Sequence, residues 1–335
     1  MMKSQKSTRR FLRGQLVEIL SAGEILATLD AAGKFEGVPF MPEMIRYCGR
    51  RMRVFRRADK TCVEGYGIRQ MRSTVFLKDA RCDGAAHDGC QRDCLIFWKE
   101  AWLKPVPEHP SQELLDPQPR EPDGQAAGQL RTRVGDRYYC QSTELAAATT
   151  PLSRWNVAHF FADIVKGELS IGRFLRIVSR MAVNKLRTLV GLQKIGVLAG
   201  SQKATFPGDL ALQPGERVRV KLPDEIAPTM DVNGKNRGLT FEPDMMEFCG
   251  DQYEVAFPIK KIILEETGRM IELDNTVALK GVTCQGFCTK NCPRSNPLYW
   301  RESWLERVEN GPRQNRDEAA RETSKTTAEA LPAAR

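Results

Sequence analysis

Cys284-Gln-Gly-Phe-Cys288-Thr-Lys-Asn-Cys292, followed by Leu298-Tyr-Trp300-Arg-Glu-Ser-Trp304-Leu305, has a counterpart earlier in the chain. It is Cys82-Asp-Gly-Ala-Ala-His87-Asp-Gly-Cys90-Gln-Arg-Asp-Cys94, then Phe97-Trp98-Lys-Glu-Ala-Trp102-Leu103. In both, the first cysteine stands twenty positions before the second tryptophan. Distant stretches that share residue types at fixed spacing read as two copies of one module.

The copies extend outward from these loops. An offset of 201 carries Gly14, Val17, Glu24, Thr28, Asp30, Gly33 and Gly37 onto Gly215, Val218, Glu225, Thr229, Asp231, Gly234 and Gly238. The same offset carries Phe40, Pro42, Met44, Cys48 and Gly49 onto Phe241, Pro243, Met245, Cys249 and Gly250. Past one inserted residue the offset is 202, which aligns Cys82 with Cys284, Cys90 with Cys292 and Trp102 with Trp304. Pro42 and Gly49 suit the start and end of a short helix.

After the Cys-Gly pair the modules read as strands. Tyr253-Glu-Val-Ala-Phe, Lys261-Ile-Ile-Leu, Arg269-Met-Ile-Glu-Leu and Thr276-Val-Ala-Leu are separated by Pro258, Thr267-Gly268 and Asp274-Asn275. Short strands with frequent turns predict a small antiparallel sheet or barrel. The opening Gly215-Glu-Arg-Val-Arg-Val, with these hairpins, resembles SH3-like small barrels of the KOW and nitrile-hydratase β-subunit type. The resemblance implies fold alone, because such barrels serve many functions. The expected class is α+β: two homologous, mainly-β, cysteine-rich modules with a helical insert between them.

The expected divisions are a disordered basic arm (1–13), module 1 (14–104), a disordered linker (105–135), a helical insert (136–205), module 2 (206–309) and a disordered tail (310–335). Within the insert, Trp155 to Val165 reads as a helix, and Ser170 can cap a second one running to about Leu192. On that second helix Ile171, Leu175, Val178, Ala182, Leu186 and Leu189 recur at three- and four-residue spacing, while Arg173, Arg176, Arg180 and Arg187 mostly project elsewhere. Such a stripe predicts packing on one or both modules, or a basic amphipathic helix, 170–192, in peripheral contact with a membrane.

The chain has 335 residues, 41% of them hydrophobic, and a formal net charge of +9. No stretch reaches the roughly twenty apolar residues of a membrane span. The basic N-terminus precedes no apolar core, so a cytoplasmic protein is expected. In a reducing compartment ten cysteines point to metal ligands or buried thiols rather than disulfides.

A zinc site made of cysteine needs four thiolates on a tetrahedron. The expected sets are Cys62, Cys82, Cys90 and Cys94 in module 1, and Cys249, Cys284, Cys288 and Cys292 in module 2, with His87 inside the first cluster. A buried structural role competes for Cys48 and Cys249. An iron–sulfur cluster is the alternative cofactor, although the spacing of Cys284, Cys288 and Cys292 is neither that of radical S-adenosylmethionine enzymes nor of ferredoxins.

Conventional catalytic motifs are missing from the sequence. Of three histidines, His109 falls in the linker and His159 on an apolar helix. Glu265 and Glu266 alternate on a strand and read as solvated. The tryptophan pairs read as a hydrophobic lid over the cysteines, with base stacking as the alternative. Arg50, Arg51, Arg53, Arg56 and Arg57 lie in the densest basic run, a solvated face or a nucleic-acid contact. The chain therefore reads as a non-enzymatic, zinc-stabilised binding or adaptor protein with a protein partner. The alternatives are a nucleic-acid-binding protein and a metal- or thiol-dependent enzyme, or its accessory, in a biosynthetic pathway.

Overall fold

In the computed structural model, which describes residues 10–107, 128–152, 158–201, 210–287 and 290–308, the alternation after Gly14 forms a strand. β1 (Leu16–Ile19) buries Val17 and Ile19 and turns Leu16 and Glu18 outward, as the two-residue period of a strand requires. A short helix, α1 (Ala22–Leu26), follows, and then β2 (Arg51–Arg57), β3 (Lys60–Val63), β4 (Gly67–Gln70), β5 (Thr74–Arg81), β6 (Leu95–Lys99) and β7 (Leu103–Pro105). Five of these strands form a curled, half-barrel antiparallel sheet in the order β6-β5-β2-β1-β7. β3 and β4 leave it as a hairpin arm.

The second unit has β8 (Arg217–Val220), β9 (Gln252–Pro258), β10 (Lys261–Ile263), β11 (Met270–Glu272), β12 (Thr276–Thr283), β13 (Pro297–Arg301) and β14 (Leu305–Arg307). Its sheet order, β13-β12-β9-β8-β14, is the same. So is its register: Leu16 faces Arg53 as Arg217 faces Glu254, and each unit shifts register at two equivalent places, Val54/Arg56 and Phe76/Arg81 in the first, Val255/Phe257 and Ala278/Thr283 in the second. β10 and β11 form the second arm.

Trp98, Trp102, Trp300 and Trp304 are fully buried inside the two half-barrels. Trp102 Nε1 donates to Thr28 Oγ1 at 3.1 Å, and Trp304 Nε1 donates to Thr229 Oγ1 at 3.0 Å. Rings that fill a core offer no face to a nucleic-acid base, so the stacking alternative is excluded and the tryptophans are core rather than a lid.

Parts of the expected arm, linker and insert pack on the first unit. Phe11 is buried and accepts, through its carbonyl, a 2.7 Å bond from Arg57 Nη1. Leu130 and Leu145 also join the first core, and Thr150–Pro151 pairs with β4. The remainder of the basic arm (1–9), most of the linker (108–127, with His109), the tail (310–335), Cys288 and the His159 side chain lie outside the described residues.

Between the units run α2 (Ala158–Val165) and α3 (Ile171–Leu189). Ser170 caps α3, its Oγ accepting from Arg173 N at 3.3 Å. The packing of α3 reverses the first expectation. Its inward side carries Arg173, Ile177 and Arg180. Ile177 is fully buried, Arg173 donates to the Gln285 carbonyl and Arg180 donates to the Pro243 carbonyl. The apolar stripe faces outward.

The arms cross between units. The β10–β11 arm of the second unit lies on the cysteine loop of the first, where Ile263 N donates to Cys90 Sγ at 3.4 Å and Arg92 Nη1 donates to Ile263 O at 2.8 Å. Reciprocally, Cys62 N on β3 donates to Cys292 Sγ at 3.2 Å and Arg294 Nη1 donates to Cys62 O at 3.1 Å. These are the same contacts at equivalent positions.

Candidate metal centre

Each cysteine loop is closed by the backbone. Cys82 N donates to Cys94 O at 2.9 Å, and Cys284 N donates to Asn296 O at 2.8 Å. Two residues on, Gly84 and Gly286 adopt φ of +69° and +70° and let the chain fold back against Cys90 and Cys292, a conformation glycine takes without strain. An acidic residue on the preceding 3-10 turn ties down each loop. Glu43 Oε1 accepts from Ala86 N at 3.3 Å, and Asp244 Oδ2 accepts from Phe287 N at 3.2 Å.

Cys82, Cys90, Cys94 and Cys140 line one cavity of about 50 Å³, with Glu43, His87, Met44 and Ile263 among the other walls. Cys140 belongs to none of the sets expected from sequence. It is delivered by the segment after the linker, which Gln141 stitches to the first unit: Phe97 N donates to Gln141 Oε1 at 2.8 Å, and Gln141 Nε2 donates to Pro39 O at 3.0 Å. Cys94 Sγ lies 3.4 Å from Ser142 Oγ.

Burial pushes the Cys82 and Cys90 thiols above their ordinary value and Cys140 to about 11. A bound cation would reverse that shift, since thiolates are the ligating form. Glu43 Oε2 is also buried, with no hydrogen-bond partner among the described residues, which is costly for a carboxylate unless something else meets it.

His87 is already engaged at both nitrogens. Nδ1 lies 2.5 Å from Glu43 Oε1, and Nε2 lies 3.0 Å from the Tyr139 carbonyl, to which it must donate. Burial lowers the histidine's affinity for a proton, but the Glu43 bond outweighs it and raises the pKa. Among the described residues, Glu43, Cys82 and His87 are the one group of at least three metal-ligating side chains whose ligand atoms all lie within 4.8 Å of one another.

Among the described residues, which leave out Cys288, the ligand sets expected from sequence are not gathered as such. Cys62 does not line the cavity of Cys82, Cys90 and Cys94 but meets the other loop, with its Sγ 3.4 Å from Cys292 Sγ. The cause is the arm crossing, which gives β3 to the other unit's loop. Burial works against ionisation of Cys292, yet hydrogen bonds from Cys62 and Arg294 bring it below its ordinary value while Cys62 is pushed up. Cys249 has a partner of its own. Its Sγ donates to Met245 O within its own turn at 3.7 Å, as Cys48 Sγ does to Met44 O at 3.8 Å, and burial raises them to about 11 and about 12. Cys284 donates to Asp244 Oδ2 at 3.4 Å.

The arginine run is divided by the sheet rather than forming one face. Arg51 and Arg53 are exposed and Arg50 half-buried. Arg56 and Arg57 are buried, paired with Glu168 at 3.4 Å and Glu100 at 2.6 Å, so they cannot reach a phosphate backbone. Glu265, expected in solvent, is buried and paired with Arg294 at 2.7 Å. The sequence held one overlooked signal for Glu43: it and Asp244 are acids at equivalent positions, each directly after a shared proline. Cys140 had none, because its partners lie 46 and more residues away. No family model, no curated protein and no solved structure matches this chain.

Proposed function

We propose that this chain is a non-enzymatic, metal-stabilised binding or adaptor protein, with zinc held by thiolates in the first unit and a partner bound on its outer surface. The observation that supports this is the meeting of Cys82, Cys90, Cys94 and Cys140, from separated segments, around one cavity with an unpartnered carboxylate oxygen. A metal there would tie the segment after the linker to the half-barrel, so that its binding free energy stabilises the fold. At this cavity the Cys82, Cys90 and Cys140 thiols, held protonated by burial, are poor nucleophiles, which favours a structural role there over thiol catalysis. The reading takes a cytoplasmic setting, where thiols stay reduced. It also takes each curled sheet as a barrel of the SH3-like kind.

One observation favours an iron–sulfur cluster as the second reading. Among the described residues no three thiol sulfurs lie within 4.8 Å of one another. A single zinc with bonds of about 2.3 Å needs its sulfurs closer than that, whereas a cluster spreads its thiolates around a larger body.

The test is metal content with an absorption spectrum on protein purified without oxygen or chelator, alongside Cys140→Ser. Colourless protein with zinc that Cys140→Ser loses supports the first reading. Brown protein with iron and sulfide supports the second. Metal-free protein, or metal unaffected by Cys140→Ser, overturns the centre.

A further inference from the structure

α3 carries two stripes on opposite sides. Arg173, Ile177 and Arg180 turn toward the second unit, and the Arg173 guanidinium lies 4.7 Å from the centre of the Phe287 ring. Ile171, Leu175, Val178, Ala182, Leu186 and Leu189 form the other stripe, and all are exposed, Leu186 by 62% and Leu189 by 76%. A surface helix ordinarily buries its apolar stripe and solvates its charges; here the apolar stripe is the one left out. Past the helix Val190, Leu192, Ile195 and Val197 are exposed as well. An exposed apolar helix stripe of this kind marks a docking surface.

Charge selects the occupant. From Ser170 to Ser201 the chain has six basic residues and no Asp or Glu; Arg173 and Arg180 are taken up by carbonyls of the second unit, while Arg176, Lys185 and Lys194 are exposed. Two copies meeting through this face would bring like charges together. An anionic bilayer satisfies both features, taking apolar side chains below its headgroups and cations beside its phosphates. The helix does not cross: no helix among the described residues is long and apolar enough to span a membrane.

We propose that α3 docks in the plane of an anionic phospholipid bilayer through Ile171, Leu175, Val178, Leu186 and Leu189. This names the partner of the binding protein proposed above but rests on α3, independently of the metal.

The test is flotation of the full chain with vesicles of roughly three parts phosphatidylcholine to one part phosphatidylglycerol, and with phosphatidylcholine alone. The expected result is binding to the anionic vesicles that weakens as salt rises. The double substitution Leu186→Glu, Leu189→Glu should weaken it by about tenfold or more. Both side chains are exposed, so the variant keeps its fold, checked by circular dichroism, and its metal content, measured on the same preparation. Absent binding to anionic vesicles, or equal binding by the variant, overturns the proposal. So does a self-association in sedimentation equilibrium that the variant abolishes without any vesicle binding, which would give the face to a second copy.

Discussion

A Cβ added at Gly84 would stand 2.1 Å from the Cys90 carbonyl oxygen, and one at Gly286 would stand 2.7 Å from that of Cys292. Both distances are with backbone, which cannot rotate aside. Gly49 has the same left-handed φ, +76°, but open space around it. Gly84→Ala should therefore cost more than Gly49→Ala, roughly 3 kcal/mol or more against about 1 kcal/mol, measured as urea midpoints. Equal costs would mean that backbone conformation alone sets the requirement. The glycine two residues after the first cysteine was legible in both copies. Its reason was not, because the atom it avoids arrives from six residues further on. Burial is equally illegible in a run of like residues: Arg53 and Arg56 are the same letter, and only the sheet decides which is solvated.

At the level of elements, α1 is held by a reciprocal cap. Ser21 Oγ accepts from Glu24 N at 3.4 Å, and Ser21 N donates to Glu24 Oε2 at 2.9 Å. The bonds from Ser21, with Lys104 adding its own, lower the Glu24 pKa to about 2. A depressed carboxylate stabilises the fold above its ordinary value of 4.5, and that contribution is lost as pH falls through about 2. The melting-temperature gap between wild type and Glu24→Ala should thus be constant near neutral pH and close on acidification. A gap independent of pH would rule the charged cap out. Five residues are too few for a helical period, so α1 did not stand out in the sequence. α3, with nineteen residues, did, together with its cap and both of its stripes. Which stripe turned inward did not follow, because periodicity fixes relative directions on a helix and not the direction of the rest of the protein.

For the whole molecule, the crossed arms make each unit part of the other's structure. Ile263, on the second unit's arm, is buried against Cys90 and Tyr138 of the first. Ile263→Ala should cost about 2–5 kcal/mol and show energetic coupling with Cys90→Ala in a double-mutant cycle. Additive costs would mean that the arm is not seated there. Near the crossing, Glu265 serves Arg294 directly at 2.7 Å and lies 3.6 Å from Arg92. By itself the sequence determined that there are two similar units, the pattern of their strands, the cysteine loops and the extent of α3. These are carried by repeats and by periods of two or about four residues, which are local. Only the tertiary structure decided that Cys62 meets Cys292, that Cys140 completes the first cavity and that α3 shows its apolar side to solvent. Arms packed on their own unit or exchanged between units place the same residues on the same strands. The choice between them rests on contacts across more than 170 positions of chain, such as Ile263 with Cys90, which no local pattern records.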